Sequence, residues 1–257
     1  MRLEALIFDV DGTLADTEDA HRCAFNAAFE EHALDWNWSK PKYADLLLTA
    51  GGKERLVAYV DSLSISQVER RALHARIAAI HRSKTEHYTR LIREGRVPLR
   101  NGVARLIGEA QGSKVSLAIA STTTLANIDA LLRTNLRMEA RDLFVVIGAG
   151  DEVPRKKPAP DIYLHVLRKL AVPAAACAAI EDSALGLAAA KAAGLFTIVT
   201  PSYWTRSEDF SEADLVLPCL GSADRPLPAR AAALVRNEVL GIREIERRLR
   251  AVETSDT

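Results

Sequence analysis

Leu3 to Phe8 is a short, largely apolar run that stops at acid and glycine in "LEALIFDVDG", the pattern of a strand buried on both faces. From Asp16 to about Glu94 the spacing turns helical. "TEDAHRCAFNAAFEEHAL" and "SQVERRALHARIAAIHRSKTEHYTRLIREG" each carry one polar face and hold no Pro or Gly before their ends. Between them, "WNWSKPKYADLLLTAGGKERL" reads as a turn-rich connection entering another helix. After Pro98 short apolar runs return: Val115–Ser121, Leu143–Ala149, Ala176–Asp182 and Leu195–Thr200. Helical stretches separate them, at Gly102–Gln111, Leu125–Leu132, Asp161–Leu170 and Gly186–Ala193. Strands alternating with helices predict right-handed βαβ units and one parallel sheet.

The expected fold class is therefore α/β, a Rossmann-like parallel-sheet core with an inserted helical domain. The boundaries read as 1–15 and 96–224 for the core, 16–95 for the insertion and 225–257 for a C-terminal helical extension. In that extension, Arg230 to Val252 spaces Val235, Val239, Ile242, Ile245, Leu249 and Val252 three or four apart. This predicts one helix packed on the core, with a dimer contact as the alternative. The closing "ETSDT" is expected to fray.

Composition narrows the partners. The 257 residues are 48% apolar and 26% charged with a formal net charge of zero, which argues against a nucleic-acid or anionic-membrane partner. Cys23, Cys177 and Cys219 lack metal-ligand spacing and read as core thiols in a reducing, cytoplasmic setting. A monomer is the simplest expectation.

In an open parallel sheet, ligands collect beyond the carboxyl ends of the strands. There the chain places Asp9 and Asp11, Ser121 with Thr122 and Thr123, Glu181 and Asp182, and a lysine from "RKKPAP", with Lys157 preferred over Lys156 because it precedes Pro158. Clustered carboxylates repel unless a cation offsets them, and hard oxygen ligands of this kind suit Mg²⁺. Mg²⁺, a lysine and free N–H groups after Ser121 would together bind a phosphoryl group. One carboxylate could attack it and form an aspartyl phosphate, while Asp11 protonates the leaving oxygen and then activates water. Gly12 would let the chain turn sharply beside the phosphate. Ser121 could instead cap the following helix, a role compatible with phosphate binding.

"DVDGT", Ser121, "KKPAPDIY" and "EDS", in that order, resemble the four motifs of the haloacid dehalogenase superfamily across essentially the whole chain to about residue 220. The resemblance implies Asp9 as nucleophile and Asp11 as general acid/base. It implies Mg²⁺ on Asp9, the Asp11 carbonyl and Asp182, with Glu181 a further or outer ligand, and Ser121 and Lys157 on the phosphoryl group. The insertion resembles the helical cap of the β-phosphoglucomutase-like branch. "IFDVDGTLADTE", "TAGGKER", "H.SKT.HY", "IASTTT..N" and "AIEDS..GL" are similar to the CbbY-type phosphatases of that branch, which hydrolyse xylulose-1,5-bisphosphate, an inhibitor of Rubisco. On that resemblance, Gly51, Gly52, Lys53, Arg55 and Lys84 of the cap would hold a second phosphate. Glu18 and His21 would meet sugar hydroxyls, and Tyr43 is a candidate contact.

Plainer readings stand beside these. Lys53 and Arg55 could be exposed helix residues, and Glu18 with His21 could be an i,i+3 ion pair. Trp36 and Trp38 read as cap packing, and His32, His74, His81, His87 and His165 as structural or exposed. Competing functions are a phosphosugar mutase, a broad sugar phosphatase, and a phospho-accepting receiver module. The last needs no cap and no second acid two positions after the first.

Overall fold

A computed structural model of the chain describes residues 2–49, 51–150 and 152–255. It divides into two compact units, Met1–Asp16 with Pro98–Thr257, and Thr17–Val97.

The first unit opens with β1 (Ala5–Phe8), fully buried as its apolar run dictates. The second unit follows, made of α1 (Thr17–Glu31), α2 (Lys40–Leu46), α3 (Gly52–Asp61) and α4 (Gln67–Arg93). The long α4 starts at a capping box in which Ser66 and Glu69 satisfy each other's backbone N–H groups. Phe25, Phe29, Trp36, Trp38, Tyr43 and Tyr59 pack ring against ring inside this unit, with centroids 4.7 Å apart for Phe25–Trp38 and 5.2 Å for Trp38–Tyr59. These rings join Leu56, Val60, Ile77 and Ile80 in the core of the helical unit.

The first unit resumes with α5 (Val103–Gly112), β2 (Ser116–Ala120), α6 (Leu125–Leu136), α7 (Ala140–Leu143) and β3 (Val146–Gly148). It continues through α8 (Asp161–Leu170), β4 (Cys177–Glu181), α9 (Ala184–Ala192), β5 (Phe196–Val199) and β6 (Leu215–Val216). All strands run parallel in the order β3-β2-β1-β4-β5-β6. The register aligns Phe8 with Ile119 on one side and Ile180 on the other, so Asp9, Ser121 and Glu181 emerge on one rim. The order in which the chain adds strands reverses between β1 and β4, the point where open sheets bind ligands. One sheet face is rich in alanine, with Ala5, Ala118, Ala120 and Ala179 beside Ile7 and Cys177, and α8 and α9 pack on it through Tyr163, Val166, Ala189 and Ala190.

Three expectations need correction. The run Leu143–Ala149 is not one strand: Leu143 closes α7, and only Val146–Gly148 pair with β2. Of the three cysteines read as core thiols, only Cys177 is buried; Cys23 is exposed and Cys219 half-buried. The single helix expected over Arg230–Val252 is two, α10 (Ala229–Val235) and α11 (Ile242–Ser255). The chain breaks at Arg236, which turns left-handed at φ 55° and caps α10 through its N–H to Ala232. Val239 falls in that break, and Leu240 enters the core instead. This C-terminal segment belongs to the first unit: Arg105 on α5 donates to the Leu240 carbonyl and Glu109 accepts from the Ile242 N–H. Asp256 and Thr257, part of the expected frayed end, and the side chain of Val252 lie outside what is described.

Candidate active site

At the β1 end, Asp9 Nα–H donates to the Ile180 carbonyl, so the acid leaves the sheet still tied to β4. The chain then folds into a tight turn in which the Val10 carbonyl accepts from Thr13, Leu14 and Ala15. Gly12 sits at φ 83°, and a Cβ there would meet Asp182 Oδ2 at 2.1 Å. Both facts demand glycine, and the second shows how closely the Asp182 carboxylate packs on the turn.

Asp9, Glu181 and Asp182 are all buried and bring carboxylate oxygens within 4.8 Å of one another. Lys157 Nζ lies between two of them, 2.8 Å from Asp9 Oδ1 and 2.6 Å from Glu181 Oε1. Tyr163 from α8 donates to the same Glu181 oxygen at 2.5 Å, and the Asp182 N–H donates to Oε2. Glu181 thus spends its oxygens on Lys157, Tyr163 and the backbone. Gly186 leaves it room, since a Cβ there would lie 2.0 Å from Oε2.

The electrostatics follow from one lysine serving three buried acids. Burial alone would discharge Lys157, but Asp9 and Glu181 outweigh it and hold the ammonium above its ordinary range. Burial, then Asp9 and Glu181, push the Asp182 carboxyl well above the usual carboxylate range. Burial and Asp9 also raise Glu181, against the pull of Lys157 and Tyr163. A cluster left this short of positive charge fits a divalent cation with oxygen ligands.

Ser121, buried at the end of β2, donates its N–H to the Gly148 carbonyl and accepts the Thr123 N–H on Oγ. The cap of α6 is Thr124, which accepts from Asn127, rather than Ser121. Ser121 Oγ therefore organises the Thr122–Thr123 turn, and Thr122 is exposed.

Within the helical unit, Arg55 Nη1 donates to Tyr43 Oη and Tyr43 donates to Glu18 Oε2, both at 2.8 Å. Arg55 is buried and also donates from Nε to the Leu46 carbonyl, so it is no surface helix residue. His21 stacks on Tyr88 with centroids 3.8 Å apart, and its Nδ1 accepts from Lys84 Nζ at 2.9 Å. Burial, then Lys84, Arg55 and His81, push His21 well below its ordinary pKa. A neutral His21 bonded to Lys84 replaces the ion pair with Glu18 that their spacing allowed. Lys53 is exposed on the first turn of α3, where Gly51 at φ 89° leaves the helix N-terminus without a side-chain cap. His32 bonds Ser83, His74 bonds Asp61, His87 bonds Glu31 and His165 bonds Glu152, as structural residues do.

Sequence reasoning passed over two residues that the fold brings here. Tyr163 reads as part of an apolar helix face, and its spacing in "KKPAPDIY" was the only signal that it lies under the lysine. Arg100 follows "VPL" with no motif around it.

A buried acid–lysine cluster at the switch point of a parallel sheet, reached through an Asp-x-Asp-Gly turn, defines a hydrolase class. Residues 3–194 match the model of the haloacid dehalogenase-like hydrolases, and the chain belongs to that family. It is 52% identical over 223 residues to protein CbbY of Rhodobacter capsulatus, covering 87% of this chain and 96% of that one. It is 50% identical to the plasmid-encoded CbbY of Cupriavidus necator, covering 88% and 89%. Among solved structures, it is similar to a mutant CbbY from Rhodobacter sphaeroides in complex with xylulose-1,5-bisphosphate. That likeness has TM-score 0.76 and 45% identity over 86% of this chain and 98% of the other.

Proposed function

We propose that this enzyme is a Mg²⁺-dependent phosphatase whose substrate is xylulose-1,5-bisphosphate. The observation that carries the chemistry is Lys157 set between Asp9 and Glu181, with Asp182 beside them, at the end of β1. The substrate assignment is supported by the likeness to the CbbY protein in complex with that sugar.

On this reading Asp9, the Asp11 carbonyl and Asp182 would hold Mg²⁺, which would offset the charge on the phosphoryl oxygens. Asp9 attacks phosphorus in line, an Asp9–phosphorus bond forms, and the bond from phosphorus to the sugar oxygen breaks. Asp11 gives its proton to that oxygen. It then takes a proton from the water that attacks the aspartyl phosphate, releasing inorganic phosphate and restoring both acids. Lys157, fixed by Glu181 and Tyr163, and the Ser121–Thr123 turn balance and orient the phosphoryl group. Glu181 holds Lys157 in place through Oε1, and Oε2, which accepts only the Asp182 N–H, keeps a lone pair for the metal or its water shell. The remote phosphate falls to Gly51, Gly52, Lys53, Arg55 and Lys84, and the sugar hydroxyls to Glu18, His21 and Tyr43.

The test is phosphate release with Mg²⁺ from xylulose-1,5-bisphosphate and ribulose-1,5-bisphosphate, with β-glucose-1-phosphate and fructose-1,6-bisphosphate alongside. A strong preference for the xylulose compound, abolished by chelation, is expected. Comparable slow release from all of them would reduce the function to a broad sugar phosphatase, and conversion of β-glucose-1-phosphate without phosphate release would make it a mutase.

A further inference from the structure

Arg100 lies outside the acidic cluster, yet its guanidinium reaches both loops that build it. Nη1 donates to the Gly12 carbonyl in the catalytic turn, and at 2.6 Å to the Thr200 carbonyl just past β5. Nη2 donates to the Pro201 carbonyl at 2.8 Å. Its own backbone N–H donates to the Leu14 carbonyl at 2.8 Å, and Nε lies 3.6 Å from Asp16. One planar fork thus fastens the turn after Asp9 and Asp11 to the segment that follows β5.

That segment leads directly back to the cluster. Ser202 and Thr205 bond each other, and Thr205 Oγ1 donates to Asp182 Oδ2 at 3.2 Å. Gly12 is the residue whose Cα the Asp182 carboxylate packs against. Arg100 therefore holds both surfaces that position Asp182: the glycine turn on one side and the Ser202–Thr205 loop on the other. The Gly12 and Pro201 carbonyls belong to loops, while the Thr200 N–H is tied to β4 through the Glu181 carbonyl, so Arg100 supplies the link from that anchored segment to the glycine turn.

We infer that Arg100 is the positioning residue of the metal centre, setting the distance between the Asp9–Asp11 turn and Asp182 without touching metal or substrate. The inference rests on the proposed Mg²⁺ site. Groups that orient metal ligands from outside commonly contribute about 10–100-fold to metal affinity.

The experiment is a calorimetric titration of Mg²⁺ alone into the full chain without substrate, with thermal unfolding in parallel. Arg105 provides the comparison. It too clasps backbone carbonyls, those of Leu220, Gly221 and Leu240, but on the α5 side and away from the acids. Arg100→Gln is expected to weaken Mg²⁺ binding about 10–100-fold. Arg100→Lys, which keeps the charge and loses the fork, should weaken it less. Arg105→Gln should lower the melting temperature and leave Mg²⁺ affinity unchanged. Wild-type Mg²⁺ affinity in Arg100→Gln overturns the inference, as does equal weakening in Arg105→Gln, which would make the effect general loosening. If Arg100→Gln yields no folded protein, Arg100→Lys decides: weakened affinity supports the positioning role and wild-type affinity overturns it. Failure of the wild-type protein to bind Mg²⁺ at all would instead overturn the metal reading beneath it.

Discussion

Gly12 and Asp182 constrain one another tightly. Alanine at position 12 would carry both a left-handed φ and a methyl group inside the Asp182 carboxylate. Gly12→Ala should destabilise the protein by at least about 1–2 kcal/mol from backbone strain alone. It should also weaken Mg²⁺ binding, read by denaturant titration and calorimetry. Asp9→Asn removes the attacking carboxylate while leaving the shape of the cluster. Steady-state phosphate release should fall to background with substrate binding retained; measurable turnover in a clean preparation would remove Asp9 as nucleophile. At this scale the acids and Ser121 were legible because each is a polar residue placed against the apolar grain of a strand end, and Lys157 from its place before Pro158. Tyr163 and Arg100 were not. A buried tyrosine on a helix face and an isolated arginine acquire meaning only from the partners that folding brings to them.

The helices of the inserted unit carry their own charge problem. His81 is half-buried beside the start of α3, where a Cβ on Gly52 would meet its Nε2 at 2.7 Å. Burial, then Lys84 and Lys53, lower its pKa to about 4, with Glu54 opposing. A histidine depressed in the folded state stays neutral there while the unfolded chain takes up a proton. Stability is therefore full above the unfolded pKa, about 6.5, and is lost as pH falls toward 4. His21, lowered in the same direction, adds to the trend. Urea titrations at pH 7 and pH 5 should show His81→Gln losing less stability on acidification than the wild type; equal losses would refute the assignment. Lys53, exposed on the first turn of α3, carries a different prediction. Lys53→Ala should raise KM for a bisphosphate well above its effect on a monophosphate, with kcat little changed, because it removes only remote binding. Equal effects on both substrates would take Lys53 out of the second-phosphate site. The helical periods of α1 and α4 were plain in the sequence. The Arg55–Tyr43–Glu18 chain was not, because it links three helices whose order in space no local pattern states.

For the whole molecule, residues 225–257 tie stability to the core unit. Leu227, Val235, Leu240, Ile242, Ile245 and Leu249 are buried, and Arg105 and Glu109 bond the backbone between α10 and α11. Truncation after Asp224 would expose α5 and remove the Leu240 acceptor from Arg105. At roughly 1.5–3 kcal/mol per large apolar side chain, the loss should reach several kcal/mol and show as a lowered melting temperature. A truncated chain that melts with the full one would mean that the segment packs without stabilising.

Read alone, the sequence determined the alternation of strands and helices, the helical insertion after β1 and the identity of the acids, hydroxyl and lysine at the strand ends. These rest on local physics: hydrophobic period, caps, and the cost of a carboxylate at the end of a buried run. The tertiary structure decided that Lys157 bridges Asp9 and Glu181, that Tyr163 joins it on Glu181, that the tail breaks into two helices, and that Arg100 spans the loops around Asp182. Those outcomes depend on contacts between residues about 20 to 150 positions apart, whose energies exist only once the sheet has set its register.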